Sequence, residues 1–164
     1  MHLLVSRDAF LVPTLVTYWA LRREGREHGQ SERSARKVDA VLNAGIEALE
    51  RAHRGGVNVV FGTDLLGGMH RLQNEEFRIR AEVQPALDII QAATITAARL
   101  LDEQRRRGEL SVGSIADLLV IDRDPLEDVT VLAEPNKYIH TVVQGGRVVV
   151  SRPRTPDMEP VPGR

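Results

Sequence analysis

The sequence predicts an α/β protein whose N-terminal portion carries parallel strands and whose C-terminal portion carries short antiparallel ones. Three observations point there. Val57-Asn58-Val59-Val60-Phe61 is an apolar run between the turn residues Gly55-Gly56 and Gly62, which reads as a short strand buried on both faces. Strand, helix and strand follow one another from residue 10 to 62, and a crossover of that length predicts parallel strands with a right-handed connection. After Gly108 the helical period gives way to short β-rich stretches separated by Asp-Pro and Gly-Gly turns.

In order, Phe10 to Trp19 is rich in β-branched and aromatic residues and reads as a strand. Pro13 donates no ladder hydrogen bond, so the regular part is placed after it, at Thr14 to Tyr18. Arg22 to Glu32 reads as a polar loop. Ser31 is an N-cap candidate for a long helix through His53, with Val38, Leu42, Gly45, Leu49 and Ala52 on one face, Val41 and Ala48 flanking it, and Gly55-Gly56 ending it.

Leu65 to His70 then reads as a glycine-bearing loop and Asn74 to Ala81 as a short helix. A second helix is expected from Pro85, a residue favoured in a first turn, to about Leu101, with Leu87, Ile90, Ala93 or Thr94, Ala97 and Leu101 on one face. Further strands follow at Asp117 to Ile121, Tyr138 to Gln144 and Arg147 to Val150, the last two joined by a Gly145-Gly146 hairpin turn. Ser151 to Arg164 carries four prolines and reads as a tail. Two parallel strands that are apolar on both faces leave open edges, so the first portion reads as a piece of a larger βα assembly.

Composition narrows the function classes. The 164 residues are 42% hydrophobic with a net charge of −1, enough for an ordinary core and without a basic surface for nucleic acid. Cysteine is absent, which removes disulfides, thiol nucleophiles and thiolate metal sites. No leader-like or membrane-spanning apolar run appears, so a soluble, cytoplasmic protein is expected. No Gly-x-Gly-x-x-Gly or phosphate loop is present.

Asp64 is the candidate functional residue. An acid just past the C-terminal end of a buried parallel strand sits where α/β folds gather their chemistry. The alternative is an aspartate that caps its own turn through a side-chain oxygen.

Three segments carry a family resemblance: Phe61-Gly62-Thr63-Asp64; Ala92-Ala93-Thr94-Ile95-Thr96-Ala97-Ala98-Arg99-Leu100; and Gly108 to Ile121, continued by Asp124-Pro125 and Val142 to Val150. Val12-Pro13-Thr14-Leu15 is a weaker fourth. In this order and spacing they resemble the C-terminal part of the metal-dependent amidohydrolase superfamily, in its imidazolonepropionase-like and prolidase-like branch. Thr96 departs from the family's usual Asn.

The resemblance implies the last two βα units of a (β/α)₈ TIM-like barrel over residues 1–104, strands of a small β-sandwich over 105–152, and a flexible tail over 153–164. It implies a hydrolase acting on C–N bonds of an amide, peptide-like or cyclic amide small molecule, with a divalent metal, Zn²⁺ foremost, as cofactor. Asp64 falls on the family's aspartate at the end of the last barrel strand, a catalytic residue and metal contact that takes a proton from water and passes it to the leaving group. His70 would line the substrate pocket, against the alternative of a solvated loop histidine.

The family's other ligands are a His-x-His pair, a Lys or Glu, and two further single histidines. Here the histidines are His2, His28, His53, His70 and His140, no two of them separated by a single residue, and Lys37 lies inside the predicted helix. One carboxylate does not hold a catalytic Zn²⁺, which takes three protein ligands and water. The expectation is a chain inactive alone, partnered by a missing N-terminal half or by itself in a homo-oligomer. The alternative is a non-catalytic module stabilised by self-association or by a barrel-completing partner.

Overall fold

A computed structural model of the chain describes residues 1–25 and 31–153. The elements run α1 (His2–Ser6), β1 (Phe10–Leu11), α2 (Leu15–Glu24), α3 (Glu32–Arg54), β2 (Asn58–Val59), α4 (Glu75–Arg80), α5 (Ala86–Ala93), α6 (Ile95–Leu100), β3 (Leu118–Ile121), α7 (Pro135–Tyr138), β4 (Ile139–Gln144) and β5 (Arg147–Ser151). Two 3₁₀ helices, Gly67–Leu72 and Val129–Ala133, precede α4 and α7.

The expected βαβ order is present, and β1 and β2 are parallel, with Phe10 beside Asn58 and Leu11 beside Val59. The first strand is not where β-propensity puts it. It ends at Leu11, and Leu15 to Trp19, expected as strand, open α2 instead. Pro13 cannot donate to a ladder, Thr14 turns the chain with φ +48, and Leu15, Val16 and Ala20 then bury on one helical face. Arg22 to Glu24, expected as loop, continue that helix. The rest of that expected loop, residues 26–30 with His28, lies outside the described residues.

The long helix α3 begins where its cap predicts: the Ser31 hydroxyl accepts from the Ser34 amide at 3.3 Å. Its buried residues are Leu42, Leu49 and Ala52, all on the expected face. They pack with Leu15, Val16 and Ala20 of α2 and with Val57 and Val59 around β2 in the main core. Lys37 lies within α3.

The helix expected from Pro85 to Leu101 is broken. At Thr94 the backbone leaves helical geometry, at φ −125 and ψ −94, and α6 restarts at Ile95. Gly108 is pressed against this break, so closely that a Cβ there would meet the Thr94 carbonyl oxygen at 2.7 Å. The break rotates the buried face to Ile89, Ala92 and Ala98, while the expected Leu87 and Leu101 are exposed. Ile89 belongs to a second core with Val129, Val131 and Leu132, against which Phe61 and Phe77 pack.

The C-terminal strands form one antiparallel sheet in the order β3-β4-β5. Gly145 and Gly146 have φ of +55 and +78, the two positive values that a two-residue hairpin of this hand demands. The described residues supply this single three-stranded layer. The tail expected from Ser151 begins later: Ser151 closes β5, and the Arg152 guanidinium donates to the carbonyls of Pro135 and Ile139, while residues 154–164 lie outside the described residues.

Candidate active site

The strand pair ends in two residues of the same unusual geometry. Thr14, after β1, and Asp64, after β2, both have left-handed backbone, at φ +48 and +49. A non-glycine residue there is strained, and such strain gathers where surrounding contacts enforce it. Asp64 is exposed, and no hydrogen bond from the described residues reaches its carboxylate. It does not cap the following turn: the 3₁₀ helix Gly67–Leu72 is preceded by Leu66 and has no side-chain cap. Leu65, the next residue, is buried and anchors the segment in the main core.

Contacts from α2, α4 and α5 hold the strand end. The Phe61 amide donates to the Ala92 carbonyl at 3.0 Å. Thr17 of α2 donates its hydroxyl to the carbonyls of Thr63 and Asp64. Arg80 of α4 donates to the Val60 carbonyl at 2.8 Å and to Glu76 at 2.7 Å, and both side chains are fully buried. Glu76 in turn accepts from the Val16 amide at 2.7 Å. Burial pushes the Glu76 carboxyl up and the Arg80 guanidinium down from their ordinary ranges, and their mutual attraction opposes both shifts. The Arg80 guanidinium also lies 5.0 Å from the Phe61 ring centre.

Sequence reading missed Thr17, Glu76 and Arg80. The available signal was that Glu76, Ile79 and Arg80 share one face at spacings of three and four, so two charges lie on the same stripe as a core isoleucine.

His70 lies in the 3₁₀ helix Gly67–Leu72 and is exposed. Neither Asp64 nor His70 lines either of two surface cavities. One, of about 420 Å³, lies between Arg71, Asn74, Glu75, Glu134 and Lys137. The other, of about 920 Å³, is a cleft between α5 and the β3-β4 sheet, lined by Ile90, Leu118, Ile121 and Val142. Among the described residues no group of three or more His, Asp or Glu side chains could hold a metal ion. A catalytic zinc takes three protein ligands, so these residues by themselves do not fit one. The histidines fall at separate places: His2 in α1, His53 in α3 beside Asp88 at 3.5 Å, and His140 in β4. Among the described residues no helix is long and apolar enough to cross a membrane.

Comparison with known proteins gives a consistent result. The model of the amidohydrolase family matches residues 3–149. An ochratoxinase of Aspergillus niger is 30% identical over 121 residues, which cover 73% of this chain and 25% of that protein. The crystal structure of an amidohydrolase superposes with a TM-score of 0.85 at 42% identity, covering 92% of this chain and 36% of that one. A prolidase complexed with N-methylphosphonate-L-proline gives 0.84 at 45% identity, covering 92% and 37%. The chain thus spans between 25% and 37% of the length of these relatives.

Proposed function

This chain belongs to the amidohydrolase family, and from that premise we propose that it supplies the C-terminal part of a metal-dependent hydrolase acting on C–N bonds of amide, peptide-like or cyclic amide substrates. In this reading residues 1–104 are the last two βα units of a (β/α)₈ barrel and 105–152 are strands of its accessory β-sandwich, with 153–164 as a tail.

Asp64 is the catalytic carboxylate and contributes to the metal site, and His70 lines the substrate pocket. The observation that carries the reading is the placement of Asp64. It follows the C-terminal end of the parallel strand β2 by five residues, its carboxylate reaches solvent, and contacts from three helices fix the backbone between Val60 and Asp64. An ionised carboxylate so placed can take a proton from an attacking water and return it to the leaving nitrogen. The prolidase and ochratoxinase likenesses support a peptide-like or amide substrate. Divalent metal in the intact site would activate the water, but the described residues do not complete its ligand set, so the chain alone is inactive in this reading.

The test is a chimera that joins this chain to the barrel segments of the 42%-identical amidohydrolase which precede the matched region. The 164-residue chain should retain no stoichiometric zinc and hydrolyse neither dipeptides nor cyclic imides, whereas the chimera should do both. Asp64→Asn in the chimera should lower kcat by about 10²–10⁴-fold, the usual contribution of acid–base catalysis. Undiminished turnover would remove Asp64 from the mechanism.

A second reading, a non-catalytic module completed by a partner or a second copy, is favoured by the exposed apolar residues Leu110, Leu119, Val148 and Val149 on and around the antiparallel sheet. Monomeric mass by sedimentation, with zinc-dependent turnover of the chimera, would exclude it.

A further inference from the structure

The first turn of α2 is tied to the end of β2 through one hydroxyl. Thr17 Oγ1 lies 2.5 Å from the Thr63 carbonyl oxygen and 3.0 Å from that of Asp64. A hydroxyl carries one proton, so two consecutive carbonyls share a single donor. In an extended strand successive residues, and their carbonyls, point to opposite sides, so no single donor can reach both. They turn to the same side where the residue between them leaves the extended region, and Asp64 does so with a positive φ of +49. The double contact and the strained backbone are one arrangement.

The donor is itself fixed. Val16, its neighbour, gives its amide to Glu76; Glu76 is held by Arg80; and Arg80 reaches the Val60 carbonyl four residues before Asp64. The contacts form a closed ring that leaves the chain at Val60, the residue after β2, passes through α4 and α2, and returns at Asp64.

We propose that Thr17 is a positioning residue whose hydroxyl holds residue 64 in the left-handed conformation and thereby sets the direction of the Asp64 carboxylate. The proposal rests on the reading of Asp64 as the catalytic carboxylate. Without the hydroxyl, residue 64 is released toward the extended region that an aspartate prefers, and the side chain swings to the other side of the chain.

The experiment is NMR on the isotopically labelled full chain, reading the ¹HN–¹Hα coupling and the Cα and Cβ shifts of residue 64, which report the sign of φ. Wild type and Thr17→Ser should show the left-handed signature. Thr17→Val should lose it while the resonances of Val57 to Val59 keep their positions. Thr17→Ala serves as a second variant should the valine methyl crowd the turn. A lowered denaturation midpoint in Thr17→Val or Thr17→Ala with the residue 64 signature intact would make Thr17 a packing residue and overturn the proposal. Failure of Thr17→Ser to keep the signature would do the same. None of these readouts uses turnover. A lost signature alongside a fully active Asp64→Asn chimera would keep Thr17 as the support of the turn and remove only the catalytic assignment.

Discussion

Arg80 Nη2 donates to the carbonyl oxygen of Val60 at 2.8 Å, so a fully buried cation on α4 grips the strand that leads to Asp64. The same guanidinium holds Glu76 at 2.7 Å. Desolvation of both ions is offset only while both are present, which makes the pair a poor source of net stability but a sensitive point for single changes.

Arg80→Met should therefore destabilise the chain by about 3–5 kcal/mol, because it leaves Glu76 buried and charged without its partner. Adding Glu76→Gln should recover a substantial part, since a neutral amide is cheaper to bury. Urea unfolding of the two variants checks this. A single-variant loss below about 1 kcal/mol would mean that water reaches the carboxylate.

Asp8 gives a pH dependence of known sign. Its carboxyl lies below the ordinary range, first because the Asn58 amide donates to it at 2.7 Å and then because Arg99 stands beside it. A carboxyl depressed in the folded state stabilises the fold above its unfolded pKa of about 3.9, and that stability is lost as pH falls through the lower folded value. Asp8→Asn should reduce stability at neutral pH and flatten its decline below about pH 4. Parallel pH–stability curves for the variant and wild type would contradict the assignment.

Gly62 marks a close approach between the two strand ends. A Cβ built there would lie 2.5 Å from Val12 Cγ1, closer than real atoms pack. Gly62→Ala should cost about 1–3 kcal/mol through this crowding, and Val12→Ala in the same chain should return most of it. Additive losses, measured as a double-mutant cycle from denaturant midpoints, would place the strain elsewhere.

What could be read in the sequence is what short-range chemistry decides. The Ser31 cap and the Gly145-Gly146 hairpin each sit where their own residues put them, whereas of the apolar run Val57 to Phe61 only Asn58 and Val59 pair as strand, with Asn58 and Phe61 half-buried. Leu15 to Trp19 misled because β-branched and aromatic residues favour strands only where a sheet receives them; after Pro13 and a left-handed Thr14 they met α3 instead, and helix formation buried Leu15 and Val16 and half-buried Tyr18 and Trp19. The break at Thr94 was hidden because good helix formers flank it and the glycine packed against it lies at position 108. Glu76 and Arg80 carry no local mark of burial, because a Glu and Arg four apart on a short helix have the same spacing whether the pair is solvated or, as here, fully buried. Asp64 could be picked out by position, whereas the hydroxyl beneath it, 47 residues away in the chain, could not.

With only two residues in each strand, β1 and β2 have little ladder to zip them together. Arg99, brought round by the kink at Thr94, clips Asp8 to Asn58 where the strands begin, and the Thr17 and Arg80 contacts clip them where they finish. The pair behaves as a plank bolted at its two ends. Loosening either set of bolts lets the plank slide, so foldability at one rim and the aim of the carboxylate at the other cannot be tuned separately.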